Sequence, residues 1–432
     1  MTHPDRKHPP ETTELSGMSL PQVERRTLSN GVKLVTIDNG SQPVTRITVV
    51  HPGGKTDIDA PHLYPLLTAA ISEGASSQTA AEIAETLEYN GAWTNFTAGR
   101  HNCVSTLYGL NSRAHETIPV FARIIAAPTL ADQAIEAQCK KIAASTELAR
   151  KKVSAQAAEL WLETAFGHTH PAAHIITGDD FAGVSRDQVV SLHKKAFLGT
   201  PPTIYIAGQI TDDIVKIIED NFGTIAFDAA NGIATRIVAP PHCQADNLQF
   251  RHVADSMQTA IKAGIPTLRR DNPEYEHMRL ATIALGGYFG SRLMANIRED
   301  KGYTYGISAS PAPQHEGTFI TIECQTANEH ARSVLNEIRN EIDRLAETDM
   351  PQQELTGIRR LMLSSMASVL DSPFSILDYI MSLDTFGLPA TTFETQLQTV
   401  TEITPADIRQ AAATYLAGVP QITACAGATD PH

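Results

Sequence analysis

The chain has 432 residues, 42% hydrophobic and 19% charged, and a formal net charge of −14. Its length points to more than one domain and its composition to a globular protein with a full core. The acidic balance excludes a nucleic-acid partner, because neutralising phosphates needs a basic face and no basic run is present.

The first elements read clearly. Residues 1–21 are polar, contain Pro4, Pro9 and Pro10, and lack an apolar signal core, so a disordered arm with no secretory signal is expected. Leu28-Ser29-Asn30-Gly31-Val32 places an Asn-Gly turn between apolar runs, a hairpin signal, and residues 44–50 alternate as a strand. Asp59-Ala60-Pro61 opens a helix whose Leu63, Leu66, Leu67, Ala70 and Ile71 form one apolar stripe. Thr79 with Glu82 is a capping box for the next helix. Residues 92–110 return to strand, and helices over 132–150 and 154–166 follow. Asn231-Gly232 and Pro240-Pro241 then break all regularity, marking a joint. Further on, Ser372-Pro373 is an N-cap with proline at the first helical position.

The chain also repeats itself. Gln133, Ile135, Ile142, Trp161, Phe166 and Gly167 recur 220 residues later as Gln353, Leu355, Leu361, Met381, Phe386 and Gly387. Residues 184–208 match residues 403–427 at an offset of 219. Such a period is too long for a solenoid and predicts duplicated domains. The expected division is an arm (1–21), an N-terminal domain (22–228), a linker (229–246) and a C-terminal domain (247–429). The expected fold class is α+β: two independent sandwich lobes around a cavity, each an antiparallel sheet with helices on one face.

Five widely spaced cysteines, Cys103, Cys139, Cys243, Cys324 and Cys425, form no C-x-x-C pair. They predict reduced thiols in a cytoplasmic protein rather than a disulfide framework or zinc knuckle. No window approaches the ~20 apolar residues of a membrane span, so no membrane partner is expected.

Several stretches, taken with the duplication, resemble the insulinase/pitrilysin metallopeptidase superfamily, closest to its two-domain branch that includes the mitochondrial processing peptidases. They include Leu28-Ser29-Asn30-Gly31-Val32, Glu73-Gly74, Glu82-Ile83-Ala84 with Gly91, Thr94-Asn95-Phe96-Thr97 and Phe166-Gly167-His168. In the second half, Leu285-Gly286-Gly287, Ser291-Arg292-Leu293 and residues 297–305 (IREDKGYTY) carry the likeness, which runs from about Val23 to Thr429. Peptide-cutting members carry H-x-x-E-H on the first long helix: two histidines one turn apart grip zinc and the glutamate activates water. Counted back from Gly74, the matching positions here are Pro65, Thr68 and Ala69, and residues 63–72 (LYPLLTAAIS) contain no His, Asp, Glu or Cys in any register. Glu147 is a weak counterpart of the family's later ligand. His168, His170 and His174 form a His-x-His cluster, which the family uses structurally, and His101 and His277 read as isolated structural residues.

The resemblance implies that Arg298 and Tyr305 hold the substrate, the arginine donating to peptide carbonyls and the tyrosine to a developing oxyanion. On the bare sequence the alternative is Arg298 paired with Glu299 or Asp300 and Tyr305 packed in a strand. Thr94, Asn95, Phe96 and Thr97 would form an edge strand onto which a peptide adds, or an edge covered by its own neighbours. The implied function is a non-catalytic subunit of a heterodimeric zinc endopeptidase. It would bind no cofactor itself and partner an H-x-x-E-H homologue that carries the zinc. The alternatives are a structural or peptide-binding scaffold of the same fold, and an active peptidase with a displaced metal site.

Overall fold

The protein is described by a computed structural model covering residues 17–76, 78–241 and 245–431; most of the expected arm, and Cys243, lie outside these residues. In the first half, β1 (Glu24–Thr27) and β2 (Lys33–Asp38) pair antiparallel around Asn30-Gly31. Gly31 there adopts φ 90°, which a side chain would resist. Then come β3 (Val44–Pro52), α1 (Leu63–Ala70), a small hairpin of β4 (Gly74–Ala75) and β5 (Gln78–Thr79), α2 (Ala80–Tyr89), β6 (Trp93–Ala98) and β7 (Asn102–Leu110). Helices α3 (Ala114–Ala126), α4 (Asp132–Arg150), α5 (Val153–Phe166) and α6 (Arg186–Phe197) lead to β8 (Thr203–Gly208) and α7 (Asp212–Phe222). The capping box forms as read: Glu82 N–H donates to Thr79 Oγ1 (3.3 Å) and Thr79 N–H to Glu82 Oε2 (2.8 Å).

The second half repeats the plan. β9 (Asn247–His252), β10 (Gln258–Thr267) and α8 (Tyr275–Gly286) precede a π-helical turn (Met294–Asp300), β11 (Thr304–Pro313) and β12 (Thr318–Ala327). Helices α9 (Ala331–Glu347), α10 (Gln352–Val369), α11 (Pro373–Thr385), α12 (Thr392–Glu402) and α13 (Pro405–Tyr415) end on β13 (Ile422–Gly427). The first sheet has the order β1-β2-β8-β3-β7-β6 and the second β11-β12-β10-β13-β9. Apart from β1, the two are one topology: β2, β8, β3, β7 and β6 correspond to β9, β13, β10, β12 and β11. The fold is α+β with predominantly antiparallel sheets. Each sheet does contain one parallel pair, β2 with β8 and β9 with β13, because a long helical crossover returns the last strand in the same sense as the first.

Two expectations need correction. Helices cover both faces of each sheet rather than one, and the lobes are not independent, because each lends a helix to the other. Helix α5 lies on β9, β10 and β13 of the second sheet, where Trp161 Nε1 donates to Ile422 O at 3.1 Å. Gly264 makes room for it: a Cβ there would come within 2.3 Å of the indole ring. Reciprocally, α11 buries Ile376, Leu377, Ile380 and Leu383 against Val35, Ile37, Tyr205 and Ala207 of the first sheet. Fully burying such a side chain stabilises by about 1.5–3 kcal/mol, so parting the lobes costs several of these at once. A one-face amphipathic stripe is visible in a sequence, but which sheet a second apolar helix lands on is not.

Candidate functional site

Helix α1 is sealed. Leu63, Tyr64, Leu66, Leu67 and Ala70 are buried in the first core, leaving Pro65, Thr68 and Ala69 on the half-buried side. Thr68 Oγ1 donates to the carbonyls of Tyr64 (3.1 Å) and Pro65 (3.2 Å), so its hydroxyl is occupied by its own helix. The flanking candidates are also committed. His62 meets the edge of Phe181, Glu73 accepts from Gln138 Nε2 (2.8 Å), and Glu147 accepts from Gly178 N–H (2.8 Å). Among the described residues no group of three or more His, Cys, Asp or Glu is arranged to hold a metal. His170 meets the backbone with both ring nitrogens, accepting from Ala172 N–H and lying 2.9 Å from Val238 O, while His168 and His174 are exposed. Among the described residues, Pro65, Thr68 and Ala69 and the engaged side chains around them do not fit a zinc ion.

The other half of the expected site is open. Arg298 lies on the π-helical turn, an irregularity frequent at functional sites. Its guanidinium carbon is 4.7 Å from the centre of the Phe289 ring and 5.2 Å from that of Tyr305. Among the described residues it makes no ion pair, with Glu299, Asp300 or any other carboxylate. Tyr305 is 90% exposed, and a β-bulge puts it there. Thr304 pairs with Thr326 and Ile307 with Cys324, so three steps on β11 span two on β12. Thr304 Oγ1 stabilises the bulge, donating to Gln325 O (2.6 Å) and accepting from Gly306 N–H (3.1 Å). The alternative in which Tyr305 packs within a strand is therefore not what the chain does.

Residues 94–97 lie on β6, which among the described residues pairs only with β7 and ends its sheet. Asn95 and Thr97 are exposed; Thr94 and Phe96 are half-buried, Phe96 against Phe121 at 6.1 Å. The structure brings Arg298 and Tyr305 together, but no hydrogen bond or ring contact among the described residues joins them to Thr94, Asn95, Phe96 or Thr97.

One constellation escaped the sequence. His101, read as isolated, sits between two carboxylates: Nδ1 is 2.9 Å from Asp57 Oδ1 and Nε2 is 2.9 Å from Glu316 Oε1. Asp57 belongs to the first lobe and Glu316 to the β11–β12 turn of the second, and both side chains are almost wholly buried. Asp57 also accepts from Gly54 N–H (2.8 Å) and, on the inter-lobe connection, Arg236 N–H (2.7 Å). Burial opposes charge on the imidazole, but the hydrogen bonds to Asp57 and Glu316 outweigh it and hold its pKa up at about 9. His101 is thus an ionised clasp between the lobes. Its partners are 44 and 215 residues away, too far for any local pattern to show.

Matched sheets, a first helix without ligands and an Arg/Tyr pair at a π-helical turn and a strand bulge agree with the insulinase-type resemblance. Residues 183–362 match the peptidase M16 inactive domain. It is 21% identical over 356 residues to the uncharacterized zinc protease YmxG of Bacillus subtilis, covering 81% of this chain and 85% of that protein. A peptidase M16 inactive domain from Pseudomonas fluorescens superposes with a TM-score of 0.86 at 21% identity, covering 95% of this chain and 99% of that one. A protease from Helicobacter pylori does so at 0.85 and 15% identity, covering 94% and 100%.

Proposed function

We propose that this chain is the non-catalytic subunit of a heterodimeric zinc endopeptidase of the insulinase/pitrilysin type. An H-x-x-E-H homologue holds the zinc, and this chain supplies the substrate-holding side. The observation that carries the reading is a contrast within one molecule. Among the described residues Arg298 has no hydrogen-bond or ion-pair partner and Tyr305 stands 90% exposed, whereas Pro65, Thr68 and Ala69 offer a metal nothing. A guanidinium fork is built to receive peptide oxygens, and a phenol donates to a developing oxyanion without titrating near neutrality. The unpaired edge of β6, with Thr94, Asn95, Phe96 and Thr97, suits a peptide added as an extra strand. Cys103, Cys139, Cys324 and Cys425 are free and buried, which supports a cytoplasmic setting. No helix of the described residues is long and apolar enough to cross a membrane.

Mixing this chain with an H-x-x-E-H homologue encoded beside it tests the reading. Peptidase activity absent from either subunit alone is expected. Arg298→Ala or Tyr305→Phe should then lower turnover roughly 10²–10³-fold with the complex intact, the usual effect of losing one oxyanion donor. Arg298→Lys should rescue poorly, because an ammonium lacks the planar fork. Unchanged rates in these variants would leave a scaffold role as the better account. One tightly held zinc per chain, found after metal-free dialysis and reloading of the isolated subunit, would overturn the division of labour.

A further inference from the structure

We propose that Phe289 is a positioning residue for Arg298: with Tyr305 it clamps the guanidinium, so that the N–H donors face incoming peptide in one orientation. Three separate segments build the arrangement: the turn after α8 brings Phe289, the π-helical turn Arg298 and the bulge of β11 Tyr305. Burial does not account for Phe289, which is 61% exposed where a polar residue would be better solvated. Its ring lies 4.7 Å from the Arg298 guanidinium carbon, well inside cation–π range. Such a contact holds the cation in place without using any of its hydrogen-bond donors. A carboxylate partner would fix the arginine equally well, but would occupy the fork.

The backbone beneath Arg298 is secured from the other side. Asn296 Nδ2 donates to Glu337 (3.0 Å) and Glu341 (2.6 Å) on α9, and Lys301 Nζ pairs with Glu337 at 2.5 Å. The π-helical turn is thus tied down on both sides of Arg298 in sequence, and only the long side chain remains to be ordered. Phe289 and Tyr305 order it. An exposed arginine otherwise loses much rotamer freedom on binding, which weakens the complex.

Relaxation of the Arg298 side-chain Nε–H in arginine-labelled protein tests the clamp without any ligand. Arg298 should be ordered in the wild type and in Phe289→Tyr, and mobile in Phe289→Leu. An Arg298 as ordered in Phe289→Leu as in the wild type overturns the proposal. The effect on peptide rests on the function proposed above, and is measured separately with fluorescein-labelled tryptic fragments of casein. Phe289→Leu should weaken their binding about two- to five-fold, the size of an exposed cation–π contact, and should weaken it no further in an Arg298→Ala background. Equal losses in both backgrounds would mean that Phe289 touches peptide itself, and would also overturn the proposal. Fragments that fail to bind the wild-type chain would count against the proposed function, leaving Nε–H relaxation to decide on Phe289.

Discussion

Helix α1 and residues 289–305 are the two places where a peptidase of this fold would do its chemistry, and they differ in where their side chains go. Helix α1 turns five of its eight residues into the core, and the others carry no ionisable group. Residues 289–305 hold Phe289, Arg298 and Tyr305 out of the core on a π-helical turn and a bulge. A sealed helix is what packing alone produces. Exposed aromatic rings around an uncommitted cation are not, since burying the rings and pairing the charge would both be more stable. Under the proposed function, the difference separates a segment that serves stability from one that serves contact.

The largest effect should come from the clasp that sets the two regions relative to each other. Glu316→Ala removes one of the two carboxylates that hold the buried His101 ring, and should destabilise by about 3–5 kcal/mol, the usual result of removing one partner of a buried pair; denaturant unfolding measures it. The pH dependence has a definite sign. His101 titrates at about 9 when folded, so its contribution is complete below its unfolded value of about 6.5 and is lost as pH rises through about 9. Glu316 is the mirror case. Burial would raise its pKa, but the bond to His101 holds it below the ordinary range, so its contribution stands above about 4.3 and is lost as pH falls. Unfolding midpoints that do not change between neutral pH and mildly alkaline conditions would remove the clasp from this account.

Next in size is the core side of α1. Leu67 is wholly buried, and Leu67→Ala should cost about 2–5 kcal/mol while leaving casein-fragment binding as it was, once corrected for folded fraction. Loss of binding beyond that would erase the contrast between the two regions. The triple change Pro65→His, Thr68→Glu and Ala69→His restores the motif residues but no third ligand, because Glu147 is engaged with Gly178. Elemental analysis should find no tightly held zinc, and tight stoichiometric zinc would show that α1 had lost only its ligands and not its site. The smallest effect belongs to the open side. Tyr305→Phe should change stability by no more than about 0.5 kcal/mol, as exposed substitutions do, and Arg298→Ala, which gives up its ring contacts, by about 1 kcal/mol; a drop in thermal midpoint well beyond these would make the pair structural.

Much of this was readable in the linear chain because it is local. The apolar stripe of α1, the Thr79–Glu82 cap, the Asn30-Gly31 turn and the 219–220-residue offset each depend on neighbours within a few positions, or on direct self-comparison. So does the absence of any zinc ligand over residues 63–72, which no folding can change. Phe289 stood beside the recognised stretches without a signal, since an exposed phenylalanine in a turn matches no pattern.

What the sequence by itself determined is therefore the duplicated α+β plan, the empty zinc helix and the Arg298/Tyr305 spacing. Those follow from periodicity and residue identity, properties that survive in an unfolded chain. Only the tertiary structure decided that α5 and α11 exchange sheets, that a bulge in β11 turns Tyr305 to the surface, and that His101 closes a clasp with Glu316 across 215 residues. Each of these is a choice among partners distant in sequence, made by the burial and pairing available once both sheets exist.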